Sequence, residues 1–336
     1  MTREIRVAIA GAGGVGRALA NTLLRRRAEY RDRLGIDVLI AGFCSSSAGL
    51  ADPRGIAQDA LFDRAVWRQG LTGAAWLDEV QADVLFEAGP SDYVSGQPGL
   101  GYFEGALDRK MHCIAIAKGA LVCAGDRLTA RAAEQGVRVF ASAAGAAALP
   151  VIDFVSHDLA GAGVERVEAV LTGTAAFVLD EMWRNNQNLE DALAVARELG
   201  IAEADPTFDL DGFDTAAKLV IIAGFAFGEW LSLADVPRQS VREITEAQMQ
   251  AWRSSAEKPA LVGVIERSDN SLSARVSLQA YKKDHPYSRT SGSTKGVFVV
   301  TRDLGEYSIL GGASSPAATV AAALKDFEHL VREIQR

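Results

Sequence analysis

Cysteine is nearly absent. Cys44, Cys113 and Cys123 are the three in a chain of 336 residues. They form no CxxC pair and their number is odd, which excludes a disulfide framework and reads as a reducing, cytoplasmic compartment. Long apolar runs are missing as well: the longest candidate, 219–227, falls short of the ~20 residues a membrane-spanning helix needs. Residues 1–4 lead directly into a strand pattern rather than a signal peptide. Positive charge is not in excess. Lys plus Arg number 35 against 43 Asp plus Glu, a net charge of −8, which argues against a non-specific nucleic-acid binder. No repeat, low-complexity tract or Pro/Ser-rich linker interrupts the chain. Lysine is scarce beside arginine, eight against 27, and only Lys110, Lys118 and Lys218 fall in the first 250 residues.

Apolar residues make up 49% of the chain, enough for a sizeable core, and the length suits about two domains. The spacing of Ile5, Val7 and Ile9 predicts a buried strand over 3–10. Further apolar strands are expected over 36–43, 82–88, 112–117 and 136–141, with helical stretches between them, one of them closing at 105–109. Strands alternating with helices indicate an α/β fold with a Rossmann-type, doubly wound parallel sheet. The texture changes after Pro150. Helices are expected over 150–159, 189–199 and 215–230, strands over 272–281 and 295–301, and a last helix over 317–334. The second half therefore reads as a separate α+β domain, with the boundary near residue 145.

Between the first strand and the first helix stands Gly11-Ala12-Gly13-Gly14-Val15-Gly16, a GxGxxG loop. In a dinucleotide site Gly11 permits the tight turn, Gly13 lets backbone approach a pyrophosphate, and Gly16 lets the helix pack on the strand. The helix start, through Gly14 and Val15, adds N–H groups and a positive dipole end. The competing reading is a tight turn of another α/β fold. An NAD site usually has an acid at the end of the second strand. Here Phe43-Cys44-Ser45-Ser46-Ser47 has none. Hydroxyls of Ser45 and Ser46, with Arg54 in reach, favour the 2′-phosphate of NADP; Asp52 keeps NAD open.

Where Arg is the default base, a Lys in an apolar setting carries a reason, because Lys gives up its proton when desolvated and Arg does not. Lys218 lies in such a run, and Asp214 precedes it by four residues, on the same helix face. Upstream, Glu203, Asp205, Asp209, Asp211 and Asp214 place five carboxylates within twelve residues. Carboxylates hold an ammonium group and a lysine serves an oxygen that gains or loses a proton, so the cluster suits a zwitterionic substrate. A solvated loop with a structural Asp214 and Lys218 pair is the plain alternative, and a divalent-cation loop is another, without EF-hand spacing. Lys118 follows the strand 112–117, at a carboxyl end where open α/β sheets bind ligands.

These segments, in this order, resemble homoserine dehydrogenase along essentially the whole chain. The resemblance runs from the glycine loop through Gly96-Gln97-Pro98-Gly99-Leu100, Lys118-Gly119-Ala120, Leu149-Pro150-Val151-Ile152 and Gly173-Thr174. Its most specific stretch is Leu199-Gly200-Ile201-Ala202-Glu203-Ala204-Asp205-Pro206-Thr207 with Asp209, Gly212, Asp214 and Lys218. His285-Pro286 and Gly311-Gly312-Ala313 also match. The resemblance implies an NAD(P)-binding domain over 1–145, a catalytic and dimerisation domain over 146–310, and a final helix over about 311–336 packed back on the first domain. It implies a short form without the regulatory ACT domain, and a homodimer. It implies interconversion of L-homoserine and L-aspartate 4-semialdehyde with NADP or NAD. Lys218 would give the proton to the aldehyde oxygen or take it in reverse, Asp214 would orient Lys218 and the substrate hydroxyl, and Lys118 would lie beside Lys218 near the nicotinamide. Glu203 and Asp209 would face the substrate's amino end, with Thr174 nearby, and Gly89 and Gly312 would join the cofactor side.

Several positions depart from the family pattern. Ala117 replaces the Asn before the first lysine, and Ala146-Ala147-Ala148 replaces a glycine-rich run, with methyl groups that would narrow backbone access and remove φ > 0 freedom. Ser142 stands near the place of an acid that helps build the family's sodium site, so no metal is expected. Ala175-Ala176-Phe177 lacks a polar residue, and Thr294-Lys295-Gly296 lacks the usual Asn. These changes fit a divergent homoserine dehydrogenase or a paralogue acting on a related hydroxy or oxo (amino) acid. A non-catalytic NADP-binding protein is disfavoured by the retention of both lysines.

Overall fold

The computed structural model describes every residue except 1, 269, 270, 313 and 336, so Ala313 of the late glycine segment lies outside the described residues. The chain divides into two compact units, Met1–Ala144 with Ser315–Arg336, and Gly145–Ser314.

In the first unit β1 (Arg3–Ala10) passes through the glycine loop into α1 (Gly14–Leu34), which returns the chain to β2 (Ile36–Cys44). β1 is buried from Val7 to Ala10 except at its start, as a central parallel strand must be. β3 (Ala48–Ala51), β4 (Arg68–Gln69), α2 (Gly73–Val80), β5 (Val84–Glu87), α3 (Gly99–Asp108), β6 (His112–Ala115), α4 (Gly119–Gln135) and β7 (Val139–Phe140) follow. Among the described residues the sheet order is β4-β3-β2-β1-β5-β6-β7. β2, β1, β5, β6 and β7 are parallel. β3 and β4 are a short antiparallel extension that sequence pattern does not anticipate. The strand order reverses between β1 and β5, the point at which doubly wound sheets open a crevice for ligands. β6 stops at Ala115, two residues short of expectation, because the Ile116 and Ala117 N–H groups both turn to Glu87 O, at 2.8 and 3.2 Å.

The C-terminal helix, Pro316–Ile334, is capped by Ser315 Oγ, which accepts from Ala318 N–H at 3.2 Å. It matches the helix expected over 317–334 to within one residue, while Gly311, the start of the segment expected to pack back over about 311–336, closes a strand instead. Its Phe327 is fully buried between Tyr30 of α1 and Phe86 of β5, ring centroids 6.0 and 5.9 Å away. Burial of one such ring contributes about 1.5–3 kcal/mol, which fixes this helix to the sheet it completes.

The second unit is built on an antiparallel sheet of order β10-β9-β8-β11-β12, formed by β8 (Val164–Val170), β9 (Lys258–Ser268), β10 (Ser271–Tyr281), β11 (Lys295–Thr301) and β12 (Gly305–Gly311). Helices α5 (Gly173–Arg184), α6 (Leu189–Glu198) and α7 (Phe213–Ile222) accompany it. Gly263 in β9 lets α7 lie directly on the sheet: a Cβ there would come within 2.8 Å of Thr215 and 2.9 Å of Leu219. The helix expected over 215–230 starts at Phe213. It changes to a wider turn over Ala223–Phe227 and ends at Gly228, φ +73°. Trp230 folds back so closely over Gly224 that a Cβ there would meet its ring at 2.4 Å. Among the described residues no helix is long and apolar enough to cross a membrane.

Candidate active site

The glycine loop sits at the strand-order reversal. Gly11, φ +120°, donates its N–H to Cys44 O at 2.9 Å. A Cβ on it would fall 2.3 Å from Ala88 O and 2.7 Å from Gly89 N. A Cβ on Gly16 would fall 1.8 Å from Gly11 O. These two glycines are dictated by packing within the loop. Gly13 and Gly14 meet nothing within 4 Å, so the space over the start of α1 is open where a pyrophosphate approaches in such a loop. Gly13 caps α1 with no side chain, its first turn holds no acid, and Val15 is half-buried beside it.

The adenosine end differs from expectation. Ser45 Oγ donates to Ala48 O at 3.0 Å and accepts from Ala48 N–H at 3.2 Å, so its hydroxyl closes the turn between β2 and β3. Ser46 is exposed. β3 then runs antiparallel, carrying Asp52 and Arg54 back toward the amino ends of the strands. Asp52 N–H donates to Ala41 O, Pro53 O accepts from Arg6 Nε, and Arg54 pairs with Asp52 at 3.2 Å. Arg6 lies four residues before the end of β1, about 13 Å at strand rise, and Arg54 is therefore not the base at this edge. Arg17 and Arg64 instead reach the glycine loop. Arg17 Nε donates to Ala12 O at 3.2 Å and Arg64 Nη2 to the same oxygen at 3.5 Å. Arg64 lies 3.9 Å over the Trp67 ring, and Trp67 packs edge-on against Phe43 of β2. Burial first, and then the Arg17 charge, lower the proton affinity of Arg64. Two like charges converge on the glycine loop with no carboxylate paired to them among the described residues, and Arg64 escapes sequence reasoning because 52 residues separate it from Ala12.

Lys118 is half-buried at the start of α4 and its N–H donates to Ser91 Oγ at 2.9 Å. Gly119 next to it is held by Asp92: a Cβ would meet Asp92 O at 2.6 Å.

In the second unit α7 presents Asp214 and Lys218 one turn apart. Lys218 Nζ lies 2.6 Å from Asp214 Oδ2 and donates to Leu171 O at 2.9 Å, with the two side chains 12% and 17% exposed. Lys218 faces a cavity of about 380 Å³ that Asp209, Thr174, Lys295, Ser293 and Ser314 also line. Thr174 Oγ1 donates to Ile201 O at 3.2 Å, tying the start of α5 to the segment after α6. Lys295 is 4% exposed at the start of β11. It is a cavity lysine that sequence reasoning passed over, and its signal was a rare lysine opening an apolar strand.

The acidic cluster is sorted by the fold. Asp205 accepts from Thr207 N–H, Asp211 takes Ser240 Oγ at 2.6 Å and Arg242 at 3.3 Å, Asp214 pairs with Lys218, Asp209 lines the cavity, and Glu203 is exposed outside its lining. Gly312, φ +81°, belongs to this unit, its Cβ direction facing Ala148 at 3.3 Å. Ala147 adopts φ +49° despite its methyl group, so the alanine run keeps the left-handed turn it was expected to lose, at about 1–2 kcal/mol.

Ser142, near the place of the acid missing from the family's sodium site, is tied to the C-terminal helix. Ser142 N–H donates to the buried Asp326 Oδ2 at 2.9 Å, and Ser142 Oγ accepts from Lys325 Nζ at 2.6 Å. Positive charge at Ser142 is supplied by the chain's own ammonium group.

Family models place this arrangement. The homoserine dehydrogenase model matches residues 150–327, and the homoserine dehydrogenase NAD-binding domain matches 11–142. The chain belongs to the homoserine dehydrogenase family. It is an NAD(P)-dependent oxidoreductase acting on CH–OH groups. It is 29% identical to an NAD(+)-dependent homoserine dehydrogenase of Pseudomonas canavaninivorans, over 99% of this chain and 98% of that one. It is 30% identical to the homoserine dehydrogenase of Mycobacterium leprae, over 96% of this chain and 71% of that one. A solved chain from Archaeoglobus fulgidus superposes with a TM-score of 0.87 at 27% identity, covering 97% of this chain and 99% of its own.

Proposed function

We propose that the chain interconverts L-homoserine and L-aspartate 4-semialdehyde, with Lys218 as the group that moves the proton. The observation that carries this reading is the placement of Lys218 Nζ at a small polar cavity, aimed by Asp214 on one side and Leu171 O on the other. Toward the aldehyde, the ammonium gives its proton to the carbonyl oxygen as negative charge develops there; toward homoserine oxidation, neutral Lys218 takes the hydroxyl proton. A bound nicotinamide supplies the hydride donor or acceptor. Asp209 suits the substrate ammonium and Lys295 its carboxylate, since opposite charges at one cavity match a zwitterion. Thr174 shapes the wall, Glu203 adds negative charge at the rim, and Lys118 serves the nicotinamide end.

The loop Gly11, Gly13, Gly14, Val15 and Gly16, with Gly89 alongside, takes the pyrophosphate, and Arg17 and Arg64 favour NADP(H) over NAD(H) through the extra phosphate. The active form is a homodimer: β12 is a sheet edge, and Leu304, Tyr307 and Leu310 at it are 55%, 37% and 37% exposed. A panel of hydroxy acids, homoserine among them, and amino alcohols offered with NAD or NADP, followed by nicotinamide absorbance, tests the substrate. Turnover of homoserine far above the others is expected, and preference for another alcohol overturns it.

A further inference from the structure

β5 ends on a carboxyl side chain that the mechanism above leaves unused. Glu87 is 1% exposed. Its Oε1 accepts from Gly89 N–H at 2.9 Å, and its Oε2 is buried with no hydrogen-bond partner. Two glycines are shaped around it. A Cβ on Gly89 would lie 2.8 Å from Oε1, and one on Gly99, the first residue of α3, would lie 3.2 Å from Cδ. The peptide joining Ala88 and Gly89 is thereby wedged between Glu87 and Gly11, whose own Cβ direction points into that same peptide at 2.3 Å. Ala88 N–H closes the wedge on Ala10 O at 2.7 Å. The Glu87 backbone oxygen meanwhile holds Ile116 and Ala117, the two residues before Lys118. One residue thus braces the glycine loop with its side chain and the approach to Lys118 with its backbone.

Burial without a counter-charge penalises the ionised form and pushes this carboxyl up to about 7, with the Gly89 N–H opposing. The titratable groups facing it are Tyr102 from α3 and Cys113 from β6, both raised by burial and therefore uncharged near neutrality.

We propose that Glu87 is a positioning residue for the dinucleotide: its carboxyl latches the Ala88 to Gly89 peptide, and through it Gly11, and loss of its proton weakens cofactor binding. The physical reason is reciprocity. An ionised Glu87 places a buried negative charge behind a loop that receives a pyrophosphate, and a cofactor that prefers the neutral carboxyl must in turn raise its proton affinity. The inference rests on the dinucleotide reading of the glycine loop.

The test is NADH binding, followed by nicotinamide fluorescence at about pH 6 and about pH 8.5, for wild type and Glu87→Gln. NADH is used because the 2′-phosphate of NADPH titrates in the same range. Wild type is expected to bind roughly threefold more weakly at the higher pH, the equivalent of about half a pKa unit of coupling. Glu87→Gln is expected to bind equally at both. Parallel pH profiles for the two proteins overturn the proposal and leave a merely structural carboxyl. A second measurement needs no variant: calorimetry of NADH binding to wild type near pH 7.5 in two buffers of different ionisation enthalpy. Net proton uptake is expected, and none overturns the proposal. Absence of both NADH and NADPH binding overturns the dinucleotide reading itself, an outcome distinct from pH-independent binding.

Discussion

Lys325 reaches across 183 residues of sequence to donate to Ser142 Oγ at 2.6 Å, while Asp326 beside it takes the Ser142 N–H. An internal ammonium thus serves Ser142, the residue near the position of the missing sodium-site acid. Turnover is therefore expected to be unchanged when sodium is replaced by a bulky organic cation at constant ionic strength. Steady-state rates in the two salts check this, and strong activation by sodium would refute it. Lys325→Met should lower stability by about 1–3 kcal/mol, because a buried hydroxyl and carboxylate lose a charged partner.

Lys218→Met removes an interaction made to the reacting oxygen and leaves the dinucleotide loop untouched. The rate constant should fall by ~10²–10⁴ with little change in cofactor affinity. Lys218→Arg should not restore it, since a guanidinium keeps its proton near neutral pH. Asp214→Asn should slow the reaction too, by releasing the Lys218 side chain. Kinetics and melting temperature measured on the same samples separate this from a structural pair, for which breaking one side costs ~3–5 kcal/mol. A folded Lys218→Met enzyme with near-normal turnover would falsify the assignment.

Arg64→Ala should weaken NADPH binding about tenfold, the size of one charge-assisted hydrogen bond, and leave NADH binding nearly unchanged. Ser45→Asp should move preference the same way by repelling the 2′-phosphate. Calorimetric titration with each cofactor reads both, and equal losses for NADH and NADPH would remove the 2′-phosphate assignment.

Glu87 holds its proton more tightly in the folded chain, to about pH 7, than its ordinary value of 4.5 allows. Folding therefore binds a proton between those pH values, and the stability contribution falls as pH rises through that window. Glu87→Gln, with no charge to bury, should melt above wild type near pH 8 and gain little near pH 4.5. Melting curves across this range check the sign; an advantage confined to acid pH would contradict it.

Light scattering should give twice the 35.7 kDa chain mass. Leu310→Glu, at the β12 edge, is expected to shift the population toward monomer; a concentration-independent monomer for wild type would contradict the dimer.

Wherever chemistry and backbone sit close in sequence, the site was legible. Gly11 and Gly16 are five residues apart on one strand–turn–helix, and Asp214 and Lys218 share a helix face because 3.6 residues make a turn. Most strands of the parallel sheet announced themselves as short apolar runs. The antiparallel β8, β9 and β12 did not, because charges in β8 and Pro259 and Gly263 in β9 mask the pattern. Five neighbouring acids looked alike in sequence; separate partners, Thr207 for Asp205, Ser240 and Arg242 for Asp211, and Lys218 for Asp214, gave them different tasks.

The sequence by itself determined the two-layer logic of a glycine loop after a first strand and a lysine–aspartate turn in an apolar helix, since both follow from local backbone geometry. Only the tertiary structure decided which bases and acids reach those motifs. The antiparallel return of β3 carried Arg54 away from the loop while Arg64 arrived from beyond it. β11 delivered Lys295 to the cavity of Lys218, 77 positions distant. The meeting of β5 with Gly99 of α3 buried Glu87 behind the glycine loop. Such contacts depend on strand direction and burial, which no spacing within a single segment encodes.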